Sequence, residues 1–200
     1  MHSLTPLFAP RGIIVVGASS SPEKLGAVMA QTLSNYPAPV ELVNSRGENG
    51  MHTSIADAAA AIPGGPDLAV LCVPAAATAQ ALRDSAASGA KAALVCAGGF
   101  AEAGGPGVEF ALQVEAAVRD TGIRLLGPNT SGFFVPRRNL RASFDPASRN
   151  WNRVRWPSWR QAAESTTSWH SSCSAPERAS ASPSASARAP TSAHPMSSTT

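Results

Sequence analysis

The chain has 200 residues, enough for one domain of ordinary size and an extension. Its 16 basic and 13 acidic residues give a formal net charge of +3, a balance that does not indicate a nucleic-acid-binding protein. The apolar runs are too short to cross a bilayer, and the N-terminus lacks the apolar segment of a signal peptide, so we expect a cytoplasmic protein that makes no membrane contact.

Short apolar runs alternate with Ala-rich segments of helical spacing up to about residue 143. The apolar runs predict five buried parallel strands, at Gly12–Val16, Val40–Val43, Leu68–Val73, Ala92–Cys96 and Arg124–Leu126. The segments between them predict four helices, at Lys24–Asn35, Ser54–Ala61, Ala75–Ser88 and Gly107–Thr121. This strict alternation predicts an α/β fold with a Rossmann-like, doubly wound parallel sheet of about five strands. Ligands of such sheets bind at the carboxyl ends of the strands.

The character of the sequence changes near Asp145. Ser, Thr, Ala and Pro dominate residues 151–200, which contain all 4 tryptophans and no apolar run. Such a segment buries too little surface to offset its chain entropy. We therefore predict a folded domain at residues 4–144 and a disordered Ser/Ala/Pro-rich tail at residues 145–200.

The three cysteines are scattered and show no CxxC spacing. They indicate neither a disulfide framework nor a zinc site, and no other metal site is predicted. Cys72 and Cys96 lie inside apolar runs, where a cysteine is expected to be a small core residue.

The turn after the first strand, GASSSPEKLG, offers a cradle for a phosphate group. It supplies backbone N–H groups, the hydroxyls of Ser19 and Ser20, the ammonium group of Lys24 and a close approach at Gly26. A dinucleotide fingerprint would require Gly-x-Gly-x-x-Gly and an acidic residue after the second strand. Here Gly17 precedes Ala18, and the second strand ends in Asn44, so an NAD site is disfavoured. A purely structural strand-to-helix turn remains the alternative.

The ends of all five strands together resemble a known family. The segments LFAPRGIIVVGAS, LVNSRG, LAVLCVPA, GGFAEAG and IRLLGPNTSG occur in order over about residues 4 to 143. They are similar to the coenzyme A-binding domain of NDP-forming acyl-CoA synthetases, which include ADP-forming acetate-CoA ligases and the α subunit of succinyl-CoA synthetase.

The resemblance implies a site for coenzyme A or an acyl-CoA. It implies that the first turn lies against the ligand and that Arg46 helps to hold its phosphates; the alternative for Arg46 and for Lys24 is a solvated surface cation. Asn129 belongs to a turn that matches GPNCxG near the thioester end, with Thr130 in place of Cys, and could equally bond its own backbone. The candidate ligand-binding residues are Gly17, Ala18, Ser19, Ser20, Lys24, Gly26, Asn44, Arg46, Val73, Pro74, Gly98, Gly99, Phe100, Pro128 and Asn129.

The resemblance does not extend to catalysis. Members of the family activate the acyl group through an acyl phosphate and a phosphorylated histidine of a second domain, and a grasp-type domain or subunit binds the nucleotide. Neither domain is recognisable, and none of the chain's four histidines matches the histidine motif: His2, His52, His170 and His194. We therefore assign no catalytic residue and expect no synthetase activity from this chain alone, with a nucleotide-grasp partner as the missing component.

The tail has two explanations. A change of reading frame near Phe144 would turn residues 145 onward into a sequence such as PGVAELEPGPVAVVAASGGVNHVLAFLL, which predicts a strand, a glycine turn and a helix. This depends on assumed codons, except where Trp151 and Trp156 constrain it. The other explanation is a genuine disordered tail.

The sequence therefore predicts a coenzyme A-binding domain, the N-terminal part of an acyl-CoA synthetase. Two alternatives remain. One is an NADP-binding Rossmann protein, which Arg46 would tolerate. The other is a non-catalytic regulatory or interaction module with this fold.

Overall fold

The computed structural model describes residues 4–145. The predicted tail, apart from Asp145, lies outside the described residues, as do His2, His170, His194 and Cys173. No helix within residues 4–145 is long and apolar enough to cross a membrane.

Five parallel strands form the central sheet in the order β2-β1-β3-β4-β5. They are β1 (Ile13–Val16), β2 (Val40–Val43), β3 (Leu68–Leu71), β4 (Ala92–Val95) and β5 (Arg124–Leu126). Within residues 4–145, five α-helices accompany them: α1 (Thr5–Phe8), α2 (Leu25–Leu33), α3 (Ile55–Ala61), α4 (Ala75–Ala87) and α5 (Pro106–Thr121). The predicted α/β sheet is confirmed, with its five strands and four long helices within a few residues of the expected bounds.

Alternate residues of each strand enter two separate cores. Ile14 and Val16 pack with residues of α3, α4 and α5, whereas Ile13 and Val15 face the opposite side of the sheet. All four side chains are buried, because a parallel sheet in this architecture is covered on both faces.

An antiparallel hairpin covers part of the second face, and the sequence analysis missed it. It consists of β6 (Gly132–Val135) and β7 (Leu140–Ser143). Leu140 and Ala142 are fully buried and belong to the same core as Met29 and Leu33 of α2. The hairpin thus covers part of the core on the face of the sheet that carries α2.

Asp67 joins the amino ends of three strands. Its carboxylate accepts hydrogen bonds from the backbone N–H of Arg11 at 3.0 Å, from Arg11 Nε at 2.8 Å and from Lys91 Nζ at 3.0 Å. The Asp67 side chain is only 6% exposed. These bonds, chiefly the one from the Arg11 side chain, hold the pKa of Asp67 well below its ordinary range despite burial. The amino edge of the sheet is therefore held by charge-assisted hydrogen bonds.

Candidate functional site

The strand order places a crevice at the carboxyl ends of β1 and β3. The chain leaves β1 to form β2 on one side and returns to form β3 on the other, so the loops after β1 and β3 diverge. Ligands of open α/β sheets bind at such a switch point.

Two glycines bring the first turn close to its neighbours. Gly17 has a φ of 83°, and a Cβ at this position would lie 2.6 Å from the carbonyl oxygen of Cys72. A Cβ at Gly26, in the first turn of α2, would collide with the carbonyl oxygen of Gly17. The start of α2 therefore packs directly on the turn, as the predicted close approach at Gly26 requires.

Asn44 connects the turn after β1 to the turn after β2. Its Nδ2 donates a hydrogen bond to the carbonyl oxygen of Ala18 at 2.8 Å, and its Oδ1 accepts one from the backbone N–H of Arg46 at 2.8 Å. The N–H groups of Gly17 and Ala18 both donate to the carbonyl oxygen of Val43 at 3.0 Å. The side-chain amide of Asn44 thus sets the position of the backbone that carries Arg46.

A cavity of about 470 Å³ lies over these strand ends. Eight of the residues predicted for ligand binding line it: Gly17, Ala18, Ser19, Lys24, Asn44, Arg46, Val73 and Pro74. Ser45, Glu48 and Cys72 also line it and were not in the predicted set. The folded chain therefore gathers one group of predicted residues at the ends of β1, β2 and β3.

The charged groups of this cavity form a small network. Ser20 Oγ donates to Glu48 Oε2 at 2.8 Å, and Arg46 Nη1 lies 3.3 Å from Glu48 Oε1. The Ser20 hydrogen bond lowers the pKa of Glu48 below its ordinary value, and the charges of Arg46 and Lys24 lower it further. The site therefore contains two cations and one anion. The sequence analysis did not identify Glu48, because an acidic residue in a polar turn is ordinarily solvated.

A second group of predicted residues lies at the ends of β4 and β5. A Cβ on Gly98 would lie 3.2 Å from both Asn129 Oδ1 and Glu102 Oε1, so the two loops meet there. Glu102 Oε1 accepts hydrogen bonds from the N–H groups of Gly99 at 2.7 Å and Phe100 at 3.2 Å. Hydrogen bonds from backbone N–H groups, first its own and then those of Gly99 and Phe100, lower the pKa of Glu102. The Phe100 side chain belongs to the core.

A second cavity, of about 520 Å³, adjoins these loops. Phe100 and Pro128 of the predicted set line it, together with apolar residues of α5 and β5 that include Val114, Val118 and Leu125. Ten of the fifteen predicted residues therefore line one of these two cavities, and five line neither: Ser20, Gly26, Gly98, Gly99 and Asn129.

Of the two described cysteines, Cys96 is a buried core residue, and Cys72 is half-buried, packs against the same core and lines the Arg46 cavity. Burial raises the pKa of the Cys96 thiol to about 12, and it also raises that of Cys72. Both groups are therefore thiols rather than thiolates at neutral pH, which makes them poor nucleophiles.

Comparison with known proteins gives one consistent family. A family described as "CoA binding domain" matches residues 11–136. The α subunits of two ADP-forming acetate-CoA ligases of Pyrococcus furiosus, I and II, are each 33% identical to the chain and each match 72% of it. The chain spans about a third of each relative, 32% of its length.

Solved structures agree with this result. The dinucleotide-forming acetyl-coenzyme A synthetase 1 of Ca. Korarchaeum cryptofilum, in complex with phosphate and ADP, has 30% sequence identity and a TM-score of 0.65. The match covers 73% of this chain and 32% of that one. The chain therefore belongs to the CoA binding domain family, and it is homologous to the N-terminal part of ADP-forming acyl-CoA synthetases.

Proposed function

We propose that the chain binds coenzyme A, or an acyl-CoA, along the carboxyl edge of its sheet. The observation that carries this proposal is the convergence of Ser19, Lys24 and Arg46 on one cavity beside the turn at Gly17. Hydroxyl, ammonium and guanidinium groups are the side-chain donors that proteins use for phosphates. The ligand's phosphates are therefore assigned to this end of the edge.

The remainder of the ligand is assigned to the line of strand ends. Neighbouring strands are about 4.8 Å apart, so the ends of β2 and β5 are roughly 19 Å apart across the four intervals of the sheet. An extended pantetheine arm suits a path of this length. Such a path passes Val73 and Pro74 and reaches Gly98, Gly99, Pro128 and Asn129.

We further propose that the chain supplies the coenzyme A site of a ligase and does not activate an acyl group by itself. The matching relatives are named as ligase subunits, and the chain spans about a third of their length. His52 is the histidine within the described residues, and its Nε2 lies 3.0 Å from Glu41 Oε2 of β2. It is not among the residues that line either cavity. Coenzyme A is then a substrate of a larger enzyme, whose nucleotide and acyl phosphate are handled by other domains or subunits.

Calorimetric titration of the full chain with coenzyme A, acetyl-CoA, NAD and NADP tests the binding proposal. We expect coenzyme A or acetyl-CoA to bind more tightly than either dinucleotide, since Asn44 stands where a ribose-binding carboxylate would be needed. Tighter binding of NADP than of coenzyme A would contradict the proposal and favour an NADP-binding protein. The same preparation, supplied with acetate, coenzyme A and ATP, is expected to form no acetyl-CoA.

A further inference from the structure

Glu48 is an acidic side chain in a cavity assigned to phosphates. Its two carboxylate oxygens accept from Ser20 Oγ at 2.8 Å and from Arg46 Nη1 at 3.3 Å. Its side chain is 29% exposed, and it lines the same cavity as Lys24 and Arg46. One carboxylate is therefore held by donors that a bound phosphate would need.

Carboxylate and phosphate oxygens make the same kinds of contact at this site. Both accept hydrogen bonds from hydroxyl and guanidinium donors, and both are attracted by a nearby ammonium group. A phosphate beside an intact Glu48 would meet a like charge at short range, which is unfavourable. The two anions therefore compete for Ser20 and Arg46.

The position of Glu48 allows its side chain to turn away from the cavity. It begins a short 3-10 turn, Glu48–Gly50, that follows Gly47 in a left-handed conformation. The Arg46 side chain is 76% exposed, so the Arg46–Glu48 pair is a surface pair of the kind that contributes little to stability. Turning the Glu48 side chain toward solvent breaks its contacts with the Ser20 hydroxyl, the Ser20 backbone N–H and Arg46, and it leaves the hydrogen bonds of the helices and strands intact.

We propose that Glu48 is an internal counter-ion of the phosphate subsite. It holds Ser20 and Arg46 in the ligand-free chain, and a phosphate-bearing ligand displaces it. Glu48 therefore lowers the affinity for coenzyme A relative to ligands that lack phosphate. This inference rests on the proposed function, because it takes the phosphates of coenzyme A as the displacing group.

The test compares the wild-type chain with Glu48→Gln, which keeps the size of the side chain and removes its charge. We expect Glu48→Gln to bind coenzyme A about two- to fivefold more tightly, the range that corresponds to loss of one exposed ion pair. Binding of pantetheine, which has no phosphate, is expected to stay unchanged. Glu48→Ala removes the acceptor altogether and should show at least the same gain.

Two controls separate this effect from a general change of charge. Asp84 is exposed on α4 and lines neither cavity, so Asp84→Asn changes the net charge equally and should leave coenzyme A affinity unchanged. In the Arg46→Ala background, Glu48→Gln should give a smaller gain, because the displaced contact is already missing.

The results distinguish the inference from the proposed function. Equal or weaker coenzyme A binding by Glu48→Gln, with the wild-type chain binding, would overturn the inference and leave the proposed function standing. An equal gain for Asp84→Asn would also overturn it. If neither the wild-type chain nor Glu48→Gln binds coenzyme A at millimolar concentration, the proposed function and the inference fail together.

Discussion

The two edges of the sheet use the same chemical groups in opposite ways. At the amino edge, the carboxylate of Asp67 is 6% exposed and is bonded by Arg11 and Lys91. At the carboxyl edge, the carboxylate of Glu48 is 29% exposed and its partner Arg46 is 76% exposed. A buried carboxylate needs its donors permanently, since an unpaired buried charge is strongly unfavourable. An exposed carboxylate can exchange its donors for water or for a ligand. The difference in burial therefore makes Asp67 a stabilising group and leaves Glu48 free to take part in binding.

The largest expected effect is a loss of stability when Asp67, at the amino edge, is changed. Asp67→Asn keeps the shape of the side chain but removes its charge, so it weakens the bonds from Arg11 and Lys91. We expect the free energy of unfolding to fall by about 2–4 kcal/mol, measured by urea denaturation. Asp120→Asn is the matched control, because it removes an exposed pair with Arg83 in which Asp120 is 64% exposed. It should change stability by less than about 0.5 kcal/mol.

Asp67 also makes the stability of the chain depend on pH. The pKa of Asp67 is lower in the folded chain than in the unfolded chain. Its contribution is therefore complete above the unfolded value of about 3.9 and is lost as the pH falls below that value. Denaturation of the wild-type chain between pH 6 and pH 3 should show a loss of stability that is smaller in Asp67→Asn. Parallel curves for the two proteins would contradict this assignment.

The next effect is on ligand binding at the carboxyl edge. Arg46→Ala should weaken coenzyme A binding by about 1–3 kcal/mol, as expected for loss of a charge-assisted phosphate contact. Dephospho-coenzyme A and pantetheine should be affected less, and the free energy of unfolding should barely change because Arg46 is exposed. Calorimetric titration with all three ligands provides the measurement. An equal loss for all three would mean that Arg46 does not contact phosphate.

The smallest expected effect on binding concerns Asn44. Asn44→Ala removes the hydrogen bonds that join Ala18 to Arg46, so the two turns lose their side-chain link. We expect coenzyme A affinity to fall by about 1 kcal/mol, together with a similar loss of stability. Gln80→Ala, which removes an exposed amide hydrogen bond on α4, is the matched control. Unchanged affinity for Asn44→Ala would show that Arg46 does not depend on this link.

The sequence by itself determined the central sheet and the family. Its apolar runs are continuous because strands such as Ile13–Val16 are buried on both faces, and this pattern is local enough to be recognised without a structure. The strand-end segments were also recognisable, since the φ of 83° at Gly17 and the collision at Gly26 favour glycine in the sequence itself.

Only the tertiary structure decided the remaining features. The hairpin β6–β7 packs against α2, about a hundred residues earlier in the chain, and its short strands give no distinctive pattern alone. Asp67 and Glu48 are both single carboxylates in polar segments of the sequence. Folding buries the first between Arg11 and Lys91 and places the second beside Ser20 and Arg46. The bonds to Asp67 and the bond from Ser20 to Glu48 join segments that are distant in the sequence, so the roles of both carboxylates follow from the packing and not from residue type.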